Sequence, residues 1–298
     1  MTAHDPGVSI TLWLADVRQF VQLHAPDITP VLDAYAGEAR HGREYIADDL
    51  AALQPGAQVL ELGAGALLLS CQLAREGFQV TALEPVGRGF SHFERLHNLV
   101  FELARARGHA PVLLRLPAEE LAMAGQVDYA FSINVMEHVQ DFPRVIERVL
   151  HSLKPGARYR FTCPNYLFPY EPHFHLFTLF SKPLTARLRA ARIFNRPDMS
   201  DAAEVWHSLN WISVPAVARA VRAVPGAVAY FNRRLLVRTV ERMATDPQFA
   251  ARHAGALRVV LLTLLRLRLQ KLFALLPASL QPVMDCVIAT RARVSGGA

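Results

Sequence analysis

Two apolar segments joined through a glycine turn constrain the fold of this chain more than any other feature. Residues 59–62 run into Gly63-Ala64-Gly65, and a second apolar segment, residues 80–83, ends at Glu84 and Pro85. A strand, a Gly-x-Gly turn, a helix and a second strand that ends in a carboxylate form the arrangement that binds the adenosine half of a nucleotide-like cofactor. We therefore predict a cofactor site at the carboxyl ends of these two strands.

Two residues near the glycine turn indicate which cofactor fits. Glu61 stands just before the first glycine, and Leu68 occupies the third glycine position of the dinucleotide fingerprint G-x-G-x-x-G. A dinucleotide needs bare backbone at that position and a helix N-terminus that is open to its pyrophosphate. S-adenosyl-L-methionine has no pyrophosphate but carries an ammonium group, which the carboxylate of Glu61 suits. The residues therefore favour S-adenosyl-L-methionine over a nicotinamide dinucleotide.

Length and composition are those of a globular protein. At 298 residues, 52% of them hydrophobic, the chain has room for one large α/β domain plus an insertion or cap. Its three cysteines, Cys71, Cys163 and Cys286, show no paired or C-x-x-C spacing, so neither a disulfide framework nor a zinc site is indicated. The N-terminus lacks the pattern of a secretory signal, so we expect a cytoplasmic protein.

Charge is distributed unevenly along the chain. Up to Asn165 there are 14 Lys and Arg against 19 Asp and Glu, a net charge of −5, whereas from Tyr166 onward there are 18 against 7, a net charge of +11. The arginines of the basic half do not alternate with aromatic residues, and no nucleic-acid motif is present, so nucleic acid is an unlikely partner. The two halves are expected to face different partners.

A long apolar segment, residues 256–277, lies within the basic half and is predicted to form one helix. Four cations interrupt it, namely Arg258, Arg266, Arg268 and Lys271. Each would cost about 2.5 to 3.5 kcal/mol near the centre of a bilayer, so a spanning helix is not expected. Two interpretations remain open: a helix packed on its own domain with its cationic heads in water, or a helix that lies on an anionic membrane surface at the inner face of the membrane.

The order of periodic segments predicts strands that alternate with helices, and hence a parallel sheet. Helices are expected within residues 10–53. The predicted strands are 58–62, 79–84, 112–116, 127–134, 158–163 and 284–290; the predicted helices between them are 66–76, 89–107 and 142–153. Residues 165–225 are expected to be irregular. The predicted domains are an N-terminal helical lead-in (1–53), a cofactor-binding core (54–165), an acceptor cap with basic apolar helices (166–283), and the final strand and tail (284–298).

With these segments in place, the chain resembles the class I S-adenosylmethionine-dependent methyltransferases over residues 40–165 and again at the last strand. Five ordered motifs carry the resemblance: residues 61–65, 83–85, 118–121, 134–139 and 153–156. The string through Glu137-His138-Val139 is similar to the ubiquinone-type O-methyltransferases. The resemblance implies an α/β, Rossmann-like doubly wound sheet of seven strands with the last strand antiparallel, N-terminal helices, and a helical cap in the C-terminal half.

The same resemblance implies a role for each motif residue. Gly63 and Gly65 would pass close to the methionyl part of S-adenosyl-L-methionine while Glu61 holds its ammonium, and Glu84 would bind both ribose hydroxyls. The remaining implied contacts are Pro85 on the adenine, Ala118 and Glu119 at the adenine edge, and Asn134 and Val135 beside the methionyl part. In one departure, Leu67 replaces the family's usual third glycine. Because of that departure, a non-catalytic adaptor stays open as an alternative function. A nicotinamide-dependent oxidoreductase is a second, less favoured alternative.

The segment after the fifth strand is predicted to form the acceptor wall, because ligands of open α/β sheets lie beyond the carboxyl ends of the strands. Its candidate acceptor-binding residues are Asn165, Tyr166, Tyr170, Glu171 and His175. His173 and His138 are the candidate catalytic bases, with a packed histidine that caps the following helix as the alternative for His138.

Metal binding is the alternative use of this segment. The spacing Glu171-x-His173-x-His175 would place three ligands on one face of an extended segment, but the sequence offers no evident fourth ligand. We therefore predict a polar pocket without metal. The resulting hypothesis is O-methylation of a small-molecule or lipid-linked acceptor.

Overall fold

The computed structural model describes residues 6–85, 94–196, 199, 202–245, 250 and 255–290. The start of the predicted helix 89–107 and the tail after residue 290 lie outside these residues. The chain divides into two compact units, one of residues 1–133 and 148–159, the other of residues 134–147 and 160–298.

Helices precede the first strand, as predicted. They are α1 (Pro6–His24), a short 3-10 helix (Pro26–Ile28), α2 (Thr29–Tyr45) and α3 (Ala47–Ala51). Along α1 the residues Trp13, Val17 and Val21 recur at a spacing of four and are fully buried, the pattern of a helix with one apolar face. The Trp13 indole Nε1 donates to the carbonyl oxygen of Leu68 at 3.0 Å. This lead-in is therefore part of the core of the first unit.

Strands and helices then alternate close to the predicted positions. The elements are β1 (Gln58–Leu62), α4 (Leu68–Arg75), β2 (Gln79–Leu83), α5 (Glu94–Ala106), β3 (Val112–Leu114), β4 (Val127–Ile133), α6 (Phe142–Ser152) and β5 (Leu153–Pro164). Strand β1 pairs in parallel with β2 and with β4, and Leu60 lies opposite both Thr81 and Ala130. The parallel pairing follows from the helical crossovers between these strands.

The C-terminal half is more regular than expected. It contains a hairpin of β6 (Tyr170–Glu171) and β7 (Leu176–Phe177), then α7 (Lys182–Phe194), α8 (Ala202–Ser208), α9 (Val214–Arg222), β8 (Ala227–Asn232), α10 (Leu235–Thr245), α11 (Gly255–Arg266), 3-10 helices at Leu269–Leu275 and Ala278–Leu280, and β9 (Val283–Thr290). The prediction that residues 165–225 are irregular is therefore wrong.

Seven strands form one sheet in the order β3-β2-β1-β4-β5-β9-β8, with β9 antiparallel to β8. The predicted seven-stranded sheet with an antiparallel last strand is confirmed, and its seventh strand is β8, which no sequence pattern indicated. A buried ion pair lies at this end of the sheet: the Arg160 guanidinium donates to both carboxylate oxygens of Asp285 at 3.0 and 2.8 Å, and Asn232 donates to the same carboxylate at 3.0 Å.

The long apolar segment does not form the single helix predicted for residues 256–277. Helix α11 ends at Arg266, Arg268 adopts a left-handed conformation with φ +57°, and a 3-10 helix follows. A left-handed residue just past a helix is a common way to terminate it. Within the described residues, none of the helices combines the length and apolarity that crossing a membrane requires.

Candidate functional site

The glycine turn after β1 is held against the end of β2 by backbone hydrogen bonds. Gly63 and Ala64 both donate to the carbonyl oxygen of Leu83, at 2.8 and 3.2 Å. Gly65 has a φ of +50°, and a Cβ built on it would meet no atom of the described residues within 4 Å. The backbone of the turn is therefore bare on the side where a side chain would stand, which leaves room for a ligand to approach it.

Glu84, directly after β2, is buried beside this turn. Its Oε2 accepts from the Gly65 backbone N–H at 2.7 Å, and burial raises the pKa of the carboxyl while that hydrogen bond opposes the rise. A carboxylate at this place is an acceptor for hydroxyl donors, as two ribose hydroxyls would be. The position predicted for Glu84 at the end of the second strand matches the structure.

Glu61 is buried within β1, where the Ser70 hydroxyl donates to its carboxylate. Burial raises the pKa of Glu61 to about 8, and the nearby charge of Glu84 adds to the rise, whereas Ser70 opposes it. A buried carboxyl of this kind is stabilised in its ionised form by a cation close to it. The environment of Glu61 thus fits a ligand that carries an ammonium group.

His97 is a site residue that the sequence did not reveal. It lies on α5, is fully buried, and its Nδ1 is 2.7 Å from the carbonyl oxygen of Gly65. Burial lowers the pKa of His97, so the neutral ring donates from Nδ1 to that carbonyl. Gly65 is thereby held at both its N–H, by Glu84, and its C=O, by His97. Nothing in the spacing of His97 distinguishes it from an ordinary helix residue.

Leu67, which departs from the family pattern, turns its side chain into the core. Its backbone is left-handed, with φ +61° and ψ +7°, a region that glycine occupies at no steric cost. The side chain is fully buried in the apolar cluster that includes Trp13 and Val17. The side chain therefore fills core volume instead of the open space beside Gly65.

The other predicted cofactor contacts fall at strand ends and turns. Pro85 follows β2 and is half-buried; Ala118 is buried in a short 3-10 helix, Ala118–Glu120, and Glu119 beside it is half-buried. Asn134 and Val135 belong to the second unit, where Asn134 is exposed, has a φ of +55° and donates its N–H to Thr162 at 2.8 Å.

In the second unit the two candidate bases lie together with a carboxylate that was not predicted. Glu137, His138 and His173 each offer one ligand atom, and these atoms all lie within 4.8 Å of one another. The two imidazole centroids are 5.1 Å apart. We call these three residues the histidine-carboxylate cluster.

Hydrogen bonds fix the proton positions on both imidazoles. His173 Nδ1 donates to Glu171 Oε1 at 2.6 Å. His138 Nδ1 is 2.7 Å from the Ser208 hydroxyl oxygen, and that hydroxyl donates its own hydrogen to the Val205 carbonyl at 2.8 Å. Ser208 must then accept from His138. In both neutral rings the proton is therefore on Nδ1 and the lone pair is on Nε2.

The pKa values of the cluster follow from burial and from neighbouring charge. Burial, with the charge of His173 added, lowers the pKa of His138 to about 3. Burial would also lower the pKa of His173, but the hydrogen bond and charge of Glu171 outweigh it and the pKa is raised. Burial raises the pKa of Glu137 to about 7. His138 is thus neutral at physiological pH.

Glu171 and His175 do not act as the sequence spacing suggested. Residues 172–175 form the turn of the β6–β7 hairpin, so the alternative in which an extended segment presents three ligands on one face does not hold. Glu171 is fully buried and accepts from the Tyr166 hydroxyl at 3.2 Å and the Phe174 N–H at 2.7 Å, besides His173. His175 is exposed and lies 3.4 Å from the Tyr170 hydroxyl.

Asn165 and Tyr166 hold the acceptor segment in place. Asn165 is fully buried; its amide donates to the carbonyl oxygens of Ser279 and Gln281 at 3.0 and 2.8 Å. The Tyr166 ring stacks on Trp211 with centroids 4.4 Å apart. Both residues were predicted to contact the acceptor, which stays a prediction; their contacts position the segment that carries them.

Asn210 is a further positioning residue that the sequence did not reveal. Its side-chain amide donates to the carbonyl oxygens of Met136 and Val139 at 2.7 and 2.8 Å, and its backbone N–H donates to the backbone carbonyl oxygen of Glu137 at 2.8 Å. Three hydrogen bonds thus fix the turn that carries two members of the histidine-carboxylate cluster.

Comparison with known proteins identifies the family of this chain. A family model described as a methyltransferase domain matches residues 36–222. An uncharacterized protein of Mycobacterium tuberculosis (strain ATCC 25618 / H37Rv) is 45% identical over 279 residues, 94% of each chain. A ubiquinone biosynthesis O-methyltransferase of Acinetobacter baylyi is 30% identical over 135 residues, 45% of this chain and 52% of that protein.

Among solved structures, a phosphoethanolamine N-methyltransferase of Haemonchus contortus in complex with S-adenosyl-L-methionine matches with a TM-score of 0.49 and 14% identity, covering 85% of this chain and 53% of that chain. The family model spans more than half of the present chain, and the five sequence motifs lie within its range. The chain belongs to the class I S-adenosylmethionine-dependent methyltransferases, and its cofactor is S-adenosyl-L-methionine.

Proposed function

We propose that this methyltransferase methylates an oxygen atom of a small-molecule or lipid-linked acceptor. The observation that carries the proposal is the pair of imidazoles, His138 and His173, each of which in its neutral form has its proton fixed on Nδ1 and its lone pair on Nε2. A neutral amine is already a nucleophile, whereas a hydroxyl group must first give up its proton. A site that places two such lone pairs together therefore suits a hydroxyl acceptor.

The first unit supplies the groups that would hold the ribose and the ammonium of the cofactor. S-adenosyl-L-methionine brings a methyl group that is already activated by its sulfonium. Glu84 would accept the ribose hydroxyls, Glu61 would face the ammonium, and the bare backbone at Gly65 would allow close approach. The remaining proposed contacts are Gly63, Pro85, Ala118, Glu119, Asn134 and Val135. On the acceptor side we propose His138 and His173 as the activating groups, with Tyr170 and His175 at the exposed edge.

Calorimetric titration with S-adenosylhomocysteine and with NADH separates this function from its alternatives. We expect stoichiometric binding of S-adenosylhomocysteine and none of NADH. Absence of cofactor binding would favour the non-catalytic adaptor, and binding of NADH would favour an oxidoreductase. Because the Leu67 side chain is buried in the core, the motive for the adaptor is weak.

The acceptor atom is tested by labelling. Cell extract incubated with the enzyme and S-adenosylmethionine labelled with carbon-13 at its methyl group is expected to yield a labelled product whose carbon signal is that of a methyl ether. A signal of an N-methyl or C-methyl group would contradict the assignment to oxygen, while leaving the methyltransferase activity itself established.

A peripheral location at an anionic membrane surface is the second part of the proposal. Between α11 and β9 the described surface exposes large apolar side chains, among them Leu267, Leu272 and Leu275 at 59%, 56% and 72%. Arg266, Arg268 and Lys271 are exposed between them. Apolar side chains mixed with cations suit insertion at anionic headgroups. A lipid-linked acceptor would be reached from that surface.

Flotation with vesicles measures this directly. We expect the protein to float with anionic vesicles at low salt and to be released at high salt. Since each cation near such a surface contributes about 1 kcal/mol, replacing Arg266, Arg268 and Lys271 together by Gln should weaken binding about 100-fold.

The matched control removes three exposed arginines of the first unit, Arg40, Arg105 and Arg115, and leaves the segment intact. We expect this control to float nearly as well as the wild type. Equal losses in both triple variants would mean that net charge alone drives binding. No flotation with anionic vesicles at low salt would contradict the membrane location and favour a soluble acceptor.

A further inference from the structure

We propose that the histidine-carboxylate cluster binds a divalent transition-metal ion through Glu137, His138 and His173. The three residues come from two turns of the second unit, and their ligand atoms lie within 4.8 Å of one another. This inference differs from the metal-free pocket that the sequence predicted. The metal site stands on its own geometry, and only its catalytic role rests on the proposed function.

The two imidazoles are already arranged as metal ligands. A histidine that binds a metal through Nε2 almost always donates its Nδ1–H to a carboxylate, a carbonyl or a comparable acceptor, which fixes the tautomer and orients the ring. His173 donates to the carboxylate of Glu171, and His138 donates to the hydroxyl of Ser208. The supporting groups that a metal site needs are therefore present on both rings.

Glu137 is the observation that points most directly to a missing cation. Its side chain is fully buried, and among the described residues no donor other than its own backbone N–H is placed to form a hydrogen bond with either carboxylate oxygen. The Nε2 atom of His138 lies 4.0 Å from Oε1. A buried polar group without a partner costs several kcal/mol, and a cation between the carboxylate and the two rings would remove that cost.

The donor set indicates the type of ion. Two imidazole nitrogens and one carboxylate are the protein ligands of many catalytic zinc sites and of non-haem iron sites, in which further positions stay open. Magnesium and calcium prefer sites made of oxygen ligands only. We therefore expect Zn²⁺ or Fe²⁺ to bind here in preference to Mg²⁺.

An open position on such an ion gives the proposed O-methylation a way to activate its acceptor. Coordination to the ion lowers the pKa of a bound hydroxyl, whose proton passes to solvent. The oxygen anion then forms the new O–CH₃ bond as the S–CH₃ bond of the donor breaks, which yields a methyl ether and S-adenosylhomocysteine. In this form of the mechanism His138 and His173 act as ligands and the metal activates the hydroxyl.

Titration of the full chain with Co²⁺, after removal of metal by a chelator, tests the site. Co²⁺ bound by nitrogen and oxygen ligands at low coordination number absorbs visible light, and Zn²⁺ should displace it. We expect one equivalent of Co²⁺ to bind. His173→Gln and Glu137→Gln should each weaken binding more than about 100-fold, and Glu171→Gln about 10- to 100-fold, the usual cost of losing a supporting carboxylate.

His207→Gln is the matched control, because His207 is an exposed histidine of the same unit and lies outside the cluster. It should bind Co²⁺ as the wild type does. Absence of a Co²⁺ spectrum in the wild type would overturn the proposal, as would equal affinity in the wild type and His173→Gln. If Glu137→Gln fails to fold, the His173→Gln variant still decides the question.

Titration with S-adenosylhomocysteine distinguishes a failure of the proposed metal site from a failure of the proposed function. We expect His173→Gln to bind S-adenosylhomocysteine with the affinity of the wild type, because the groups proposed to hold the cofactor through its ribose and ammonium belong to the other unit. If His173→Gln loses the metal but still binds S-adenosylhomocysteine, the metal site is supported. If the wild type binds S-adenosylhomocysteine but no metal, the metal site is refuted and the proposed function is unaffected.

Discussion

Glu84→Ala is expected to abolish measurable binding of S-adenosylmethionine and S-adenosylhomocysteine while the protein stays folded. The substitution removes the acceptor of two ribose hydroxyls, and each charge-assisted hydrogen bond contributes about 1.5 to 3 kcal/mol. Two such bonds correspond to a loss of about 10²- to 10⁴-fold in affinity. The carboxylate also holds the Gly65 N–H at 2.7 Å, so the turn loses one of its two anchors.

Glu120→Ala is the control for this variant. Glu120 is an exposed carboxylate of the same unit, next to the predicted adenine contact Glu119, and its removal should change affinity little. Calorimetric titration gives the affinities, and thermal unfolding of both variants shows whether the fold persists. An affinity of Glu84→Ala equal to that of the wild type would remove the central assignment of the cofactor site.

The sequence predicted the first half of the fold well because its strands are buried on both faces. Continuous apolar runs bounded by glycine turns place β1 and β2 within one residue of their observed bounds. Parallel strands covered by helices read as largely apolar runs, and Gly63, which follows β1, has a φ of +67°. Local sequence and tertiary burial therefore give the same signal in this region.

The second half was predicted poorly because its signals are ambiguous. Pro183 and Pro215 lie in the range predicted to be irregular, but they stand in the first turns of α7 and α9. Proline is tolerated there because the N–H that it lacks would have no intrahelical partner. Strand β8 has no fully buried residue, so it shows no alternation of apolar and polar positions.

The two parts of the candidate site also differ in how clearly a local sequence pattern indicates them. The glycine turn is contiguous in sequence, so a local pattern predicts Gly63 and Gly65, and the end of the next apolar segment predicts Glu84. The histidine-carboxylate cluster joins residues that are far apart in the chain, and Ser208 and Asn210, which position it, lie farther still. No local pattern relates such residues, because only the tertiary fold brings them together.

Leu67→Gly, which restores the family's usual glycine, is expected to destabilise the protein without improving cofactor binding. The left-handed backbone of Leu67 costs roughly 1 to 2 kcal/mol, which glycine would relieve. Removing a fully buried leucine from a packed core costs about 2.7 to 5 kcal/mol, and glycine adds about 0.5 to 1 kcal/mol of conformational entropy lost on folding. The cavity term is the larger one, so the net loss should be about 2 to 4 kcal/mol.

Leu67→Ala is the matched variant, because it creates nearly the same cavity but keeps the left-handed strain. Denaturant unfolding should show a clear loss for both variants, with the two within about 1 to 2 kcal/mol of each other. Calorimetry should show wild-type affinity for S-adenosylhomocysteine in both, because the leucine side chain fills core volume and not the space beside Gly65. If Leu67→Gly binds the cofactor more tightly than the wild type, the leucine obstructs the cofactor, and the non-catalytic adaptor becomes the better account of this chain.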